Sequence, residues 1–122
     1  MRETEYVLFR GATNDSFFFL GGAVRESQFQ SGLIKELKQR FPGCIVMKND
    51  AGHNQGIPDI SILFGGRYAL LECKRSAKAS HRPNQDYYVD HVNDMGGVAR
   101  FIYPENKEEV LHDLESAFGV GG

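Results

Sequence analysis

The sequence has no tryptophan, only two cysteines and four prolines among its 122 residues, and no long apolar run. A membrane span needs about 18 or more continuous apolar residues, so we expect no membrane association. The polar N-terminus lacks the apolar segment of a secretory signal. Cys44 and Cys73 have no partner at metal-site spacing. We expect both to be reduced and buried in a cytoplasmic protein, or in the host cytoplasm if the source is viral.

The chain also lacks an excess of positive charge, because its formal net charge is −2. Nucleic-acid-binding proteins are usually basic, so this balance argues against one. A metal-dependent nuclease, however, concentrates carboxylates that bound cations neutralise. The hydrophobic fraction of 41% and charged fraction of 25% are ordinary for a globular protein, and the length suits one compact domain.

The hydrophobic pattern predicts an α/β fold with the order β-β-α-β-β-β-α-β-α. Two alternating runs predict an N-terminal β-hairpin extension over residues 1–24. Apolar residues at four-residue spacing predict a helix over 25–41, and later helices are predicted from Pro83 and over 106–118. The remaining strands are predicted at 44–47, 60–64, 67–73 and 98–103. We expect a mixed sheet flanked by helices, with the main domain covering residues 25–122.

Three charged residues are predicted to meet on one β-hairpin. Asp59 opens one strand and Glu72 lies near the end of the next, with the Gly65-Gly66 turn midway between them. Antiparallel pairing then places Asp59 and Glu72 roughly opposite each other, within about 5.5 Å at Cα. Lys74 follows Glu72 by two residues and shares its face of the strand.

Two carboxylates directly opposite each other repel, and a divalent cation relieves that repulsion. Mg²⁺ prefers carboxylate oxygens and keeps several waters. On a phosphate it can act as a Lewis acid and activate water, while a neighbouring ammonium offsets developing charge. These residue types therefore suit metal-assisted phosphodiester hydrolysis.

The same segment resembles a known nuclease signature. Pro58-Asp59, followed after twelve residues by Glu72-Cys73-Lys74, resembles the motif of the PD-(D/E)XK superfamily. The wider context resembles its VRR-NUC branch, the virus-type replication-repair nucleases, over residues 26–103. Residues 1–24 depart from the minimal family pattern. The further matching features are Glu26, the glycine-containing loop Lys48–Gly56, Pro83-Asn84-Gln85 and the Gly96-Gly97 pair.

The resemblance implies a restriction-endonuclease-like fold and a role for each matching residue. It implies that Asp59, Glu72 and the backbone carbonyl of Cys73 hold Mg²⁺ or Mn²⁺, and that Lys74 is the catalytic lysine. It further implies a catalytic or second-metal carboxylate at Glu26, with Gln85 and Lys48 in support. Standalone viral members resemble Holliday-junction resolvases, so the resemblance also implies a homodimer that cuts branched DNA, in DNA repair and in a phage or bacterial source.

Simpler interpretations stand beside several of these assignments. A glutamate in a first helical turn complements the helix dipole, so that interpretation of Glu26 is as good as the functional one. Its spacing from the stripe of Phe29 and Leu33 favours an inward position. Lys48 could be a surface lysine at a strand end. His53 lies in the loop before the motif and could touch DNA, but a solvated loop histidine explains it equally.

The most basic stretch runs from Lys74 to Arg82 and leaves the predicted site. Arg75, Lys78 and Arg82 are candidate DNA-phosphate contacts, although a charge run is usually a solvated loop. The N-terminal segment is rich in aromatic residues, including three consecutive phenylalanines that cannot all face one side of a strand. An isologous dimer would cover the remaining face.

Three alternatives to a junction-cutting enzyme remain open. The same residues would serve a nuclease acting on ordinary duplex or flap DNA. The domain could be a non-catalytic DNA-binding module, although an intact Asp59, Glu72 and Lys74 argues against that. The motif could also be accidental on a small scaffold. The favoured prediction is a metal-dependent DNA endonuclease, and its branched-DNA substrate rests on resemblance alone.

Overall fold

The computed structural model describes residues 25–50 and 52–120. Backbone contacts divide the chain into two compact units, residues 1–32 and 33–122. The predicted N-terminal hairpin and its aromatic residues lie outside the described residues. From residue 25 onward, the predicted order α-β-β-β-α-β-α is confirmed. The described elements are α1 (Glu26–Arg40), β1 (Ile45–Lys48), β2 (Ile60–Phe64), β3 (Arg67–Cys73), α2 (Pro83–Asp94), β4 (Val98–Ile102) and α3 (Lys107–Phe118).

The four strands form one mixed sheet in the order β1-β2-β3-β4. The β1–β2 and β2–β3 pairs are antiparallel. The β3–β4 pair is parallel, because α2 lies between these strands in the chain and returns it to the same end of the sheet. The predicted α/β class with a mixed sheet and flanking helices is therefore confirmed.

One face of the sheet packs against α3 and the end of α1. Ile60, Ile62, Ala69 and Leu71 point to this face and are completely buried. At its edge, the rings of Phe41, Phe64 and Phe118 lie within 5.9 Å of one another. Ion pairs of 2.8 Å between the two helices, Arg40–Glu108 and Lys107–Glu36, flank the apolar contact.

The opposite face of the sheet is covered by α2 over β3 and β4. Val89 and Val92 of α2 pack with Ala99, and Asn93 of α2 bonds the backbone N–H and carbonyl of Ala99 at 2.9 Å each. The apolar side chains of Ile45, Met47 and Leu63 on β1 and β2, and of Tyr68 on β3, lie on this same face and are exposed. The site described below lies on the same face, at the end of the strands where α2 begins.

The two cysteines, both predicted to be buried, differ in their burial. Cys73 is buried and Cys44 is half-buried, and neither is in a disulfide; burial raises the pKa of the Cys44 thiol. Among the described helices, none is long and apolar enough to cross a membrane.

Candidate active site

The strand register brings Asp59 and Glu72 together. Ile60 pairs with Leu71 in the β2–β3 ladder, so the next pair outward is Asp59 with Glu72. Opposite residues of an antiparallel pair share a face, and both carboxylates line one cavity. The predicted hairpin, its Gly65-Gly66 turn and the opposition of the two carboxylates are thus confirmed.

Asp59 directly precedes β2, and a hydrogen bond across the hairpin holds its carboxylate in place. Its Oδ2 accepts a hydrogen bond of 2.9 Å from the backbone N–H of Cys73. Burial raises the pKa of the Asp59 carboxyl, while the bond from Cys73 and the charges of Lys74 and Lys48 act in the opposite direction. Desolvation is the largest of these effects, so Asp59 is a carboxylate whose negative charge is poorly compensated by the protein alone.

The charged side chains of Glu72 and Lys74 are almost completely buried. Their side chains are 4% and 10% exposed, and Lys74 Nζ lies 3.8 Å from Glu72 Oε2. Buried charges are tolerated only when they are paired and hydrogen-bonded. Glu72 and Lys74 therefore depend on the polar partners that the fold gives them.

Gln85 supplies the hydrogen bonds that hold this pair. Its Nε2 donates to Glu72 Oε2 at 2.9 Å, and Lys74 Nζ donates to its Oε1 at 2.9 Å. The backbone N–H of Arg82 donates to the same Oε1 at 3.0 Å, in a capping box at the start of α2. The first turn of α2 is therefore coupled directly to Glu72 of β3 and to Lys74 just beyond it. The supporting role of Gln85 in catalysis stays a prediction.

A cavity of about 500 Å³ opens over these residues. The loop before Asp59 and the first turn of α2 form its walls. They meet because Gly56 has a φ of +87° and approaches Asn84 so closely that a Cβ on Gly56 would lie 2.3 Å from that of Asn84. The lining residues are Gly52, Gln55, Gly56, Ile57, Asp59, Glu72, Arg82, Pro83, Asn84 and Gln85.

The cavity offers oxygen donors of the kind that bind a divalent metal ion. Within the described part of the chain, no cluster of three or more His, Cys, Asp or Glu side chains is arranged to hold a metal. Mg²⁺ is commonly held by only one or two carboxylates and keeps several waters. Two carboxylates on one cavity wall, with a raised pKa at Asp59, fit that requirement, and the adjacent Cys73 carbonyl is of the same hard-oxygen type.

Glu26 is the first residue of α1 and is exposed. The buried stripe of α1 begins at Phe29, so the expectation that Glu26 continues it inward is wrong. A carboxylate in the first turn of a helix lies close to the positive end of the helix dipole. Glu26 belongs to the compact unit of residues 1–32, whereas the cavity belongs to residues 33–122. Its catalytic or metal-binding role stays a prediction.

The remaining predicted DNA contacts are exposed. Arg75, Lys78 and Arg82 leave β3 on the segment leading to α2, and only Arg82 among them lines the cavity. His53 is exposed in the loop between β1 and β2. Lys48 is exposed at the end of β1, close enough for its charge to favour the ionised form of Asp59.

The structure adds two residues that the sequence analysis did not single out. Asn49 donates to the Pro58 carbonyl and to Ser61 Oγ, on either side of Asp59. Gly56 allows the loop to touch α2. The pairing of β1 with β2 would have placed Asn49 beside Asp59, but no sequence pattern gives that register.

No protein-family model, curated protein or solved structure matches this chain.

Proposed function

We propose that the protein is a metal-dependent DNA endonuclease. The observation that carries the proposal is that Asp59 and Glu72 line one cavity wall, while Lys74 lies 3.8 Å from Glu72 and Gln85 is hydrogen-bonded to both Glu72 and Lys74. An accidental motif would have no need to bury Glu72 and Lys74 at the expense of their hydration. A restriction-endonuclease-like core, and membership of the VRR-NUC branch, belong to the same proposal.

In this proposal Asp59 and Glu72, with the Cys73 carbonyl, would hold Mg²⁺ or Mn²⁺. When bound, the metal supplies Lewis acidity at the phosphate and lowers the pKa of bound water. Asp59 is kept in place by the Cys73 N–H. Lys74 is held at 2.9 Å by Gln85 and retains further N–H donors, which would orient the attacking water or offset charge developing on the phosphate.

Branched DNA, such as a four-way junction, is the proposed substrate, cut by a homodimer. The exposed cations Arg75, Lys78 and Arg82 would contact phosphates and position the DNA without reading its sequence. A nuclease of low structure specificity would use the same active site. A non-catalytic DNA-binding module is disfavoured because Asp59, Glu72 and Lys74 are all present in the sequence.

The test is cleavage of a labelled four-way junction beside the matching linear duplex, single strand and flap, in Mg²⁺ and in Mn²⁺. Asp59→Ala serves as the inactive variant. We expect metal-dependent cleavage of the junction that the variant loses. Equal cleavage of all four substrates would keep the nuclease and discard the junction preference. If no substrate is cleaved in Mg²⁺ or in Mn²⁺, the nuclease proposal fails and a DNA-binding module becomes the favoured function.

A further inference from the structure

Asn49 makes three hydrogen bonds to residues at and around Asp59. It follows β1 and lies opposite Asp59, because Lys48 pairs with Ile60 in the β1–β2 ladder. Its backbone N–H donates to the Asp59 carbonyl at 2.8 Å. Its side-chain amide donates to the Pro58 carbonyl at 2.8 Å and to Ser61 Oγ at 2.9 Å.

Two of these hydrogen bonds hold the main chain of Pro58 and Asp59, and the third holds the side chain of Ser61 in β2. Asp59 lies just outside the β2–β3 ladder, where the regular pairing with β3 ends. A carboxylate at a strand end would otherwise sample several backbone and side-chain conformations. The bond from Cys73 fixes the carboxylate itself, and Asn49 fixes the main chain from which it projects.

We propose that Asn49 is a positioning residue that sets the metal-binding geometry of Asp59. The inference rests on the proposed function, since it requires that Asp59 bind a metal ion. Partners that orient a metal ligand typically change metal affinity by about 10- to 100-fold when they are removed. Asn49 acts through Asp59 and its flanking residues, not through contact with the ion.

The experiment titrates Mn²⁺ into the full chain and follows binding directly, by calorimetry and by the loss of the free-ion electron paramagnetic resonance signal. Asn49→Ala is expected to raise the Mn²⁺ dissociation constant by about tenfold. Ser61→Ala removes one of the two amide acceptors and should give a smaller rise. Asn54→Ala is the matched control, because Asn54 is an exposed asparagine of the same loop.

Cleavage kinetics provide a second measurement. If Asn49 only positions Asp59, saturating Mn²⁺ should restore most of the cleavage rate of Asn49→Ala, so the effect falls on the half-saturating metal concentration. Thermal unfolding checks that each variant folds. If Asn49→Ala does not fold, Ser61→Ala carries the test, because it leaves the bond between Asn49 and Pro58 in place.

The outcomes separate the two proposals. Mn²⁺ binding that Asp59→Ala abolishes, but that Asn49→Ala and Ser61→Ala leave unchanged, would overturn the role of Asn49 and leave the nuclease standing. A lower melting temperature without a change in metal affinity would likewise reduce Asn49 to a structural residue. No Mn²⁺ binding by the unmodified protein, or binding that survives Asp59→Ala, would overturn the metal site and the role of Asn49 together.

Discussion

The charged groups of Glu72 and Lys74 lie 3.8 Å apart and are almost completely buried from solvent. The side-chain amide of Gln85 is hydrogen-bonded to both. An oppositely charged pair at this depth has lost most of its hydration, which the pair's own attraction does not fully replace. Gln85 replaces part of it, because an amide offers an acceptor to the ammonium and a donor to the carboxylate. The helix that carries Gln85 is thereby tied to the strand that carries the charges.

Gln85→Ala should therefore affect both stability and the site. It removes two buried hydrogen bonds to charged groups and the capping-box bond from Arg82. We expect the free energy of unfolding to fall by about 1–3 kcal/mol, measured by chemical denaturation. Gln39→Ala, at an exposed glutamine of α1, is the control and should change it little. Equal stability of the two variants would show that water replaces the amide without cost.

Asp59→Asn should stabilise the metal-free protein at neutral pH. Asparagine can still accept the bond from Cys73 but carries no charge in the partly buried position. Because burial raises the pKa of Asp59, the folded state binds this proton more tightly than the unfolded state. Its contribution to stability is therefore present at low pH and is lost as the pH rises through the raised pKa.

Thermal melts of both proteins from acidic to neutral pH, in chelator, test this. The melting temperature of Asp59→Asn should exceed that of the unmodified protein by a margin that grows as the pH rises. Saturating Mn²⁺ should reverse the order, because only the ionised carboxylate binds the metal well. A variant that is less stable at every pH would mean that the charge of Asp59 is satisfied by the protein alone.

Gly56→Ala should loosen the loop that forms one wall of the cavity. A Cβ there would lie 2.3 Å from Asn84 Cβ and 2.7 Å from its backbone carbonyl carbon, so the loop must move away from α2. Gly43→Ala is a close control, because Gly43 has a φ of +88° but open space around it. Left-handed backbone alone costs a non-glycine residue about 1–2 kcal/mol.

We expect the free energy of unfolding to fall by about 1–2 kcal/mol in Gly43→Ala and by more in Gly56→Ala. Only Gly56→Ala should also lose cleavage activity. The difference in unfolding free energy measures the cost of breaking the close approach. If the two variants were equally stable and equally active, contact between the loop and α2 would not matter for the site.

Lys78→Ala combined with Arg82→Ala should weaken DNA binding in a salt-dependent way. Each phosphate contact contributes about 0.9 to the slope of log affinity against log salt, so the double variant should reduce that slope by about 2. Fluorescence anisotropy with labelled DNA at several salt concentrations measures it. The control replaces Lys35 and Lys38, exposed lysines of α1, with alanine. An unchanged slope would show that Lys78 and Arg82 do not contact DNA phosphates.

The homodimer is tested by sedimentation velocity at micromolar concentration. Two features favour association: the aromatic N-terminal sequence and the exposed apolar side chains of β1 and β2, of which Ile45 is 57% and Leu63 is 39% exposed. We expect a species of twice the chain mass, or about 27 kDa from a chain of 13.7 kDa. Monomer alone at this concentration would contradict the dimer.

The sequence by itself determined the elements and the hairpin. The strands Ile60–Phe64 and Arg67–Cys73 have the predicted bounds, because side-chain alternation and the Gly65-Gly66 turn are local features. Since a turn fixes the register of its hairpin, the same local information placed Asp59 opposite Glu72. The helix from Pro83 was equally local, because its first position suits proline and two glycines end it.

Only the tertiary structure decided which distant residues support that pair. Gln85 reaches Glu72 and Lys74 because α2 returns the chain to a strand beside β3, and family resemblance rather than periodicity had suggested it. Asn49 and Gly56 act through the pairing of β1 with β2 and the contact of a loop with α2, which no residue spacing encodes. Glu26 shows the converse, because a helical stripe gives the direction of a face but not where burial begins. Local patterns fix which side chains share a face, whereas the packing of separate elements fixes which of them meet.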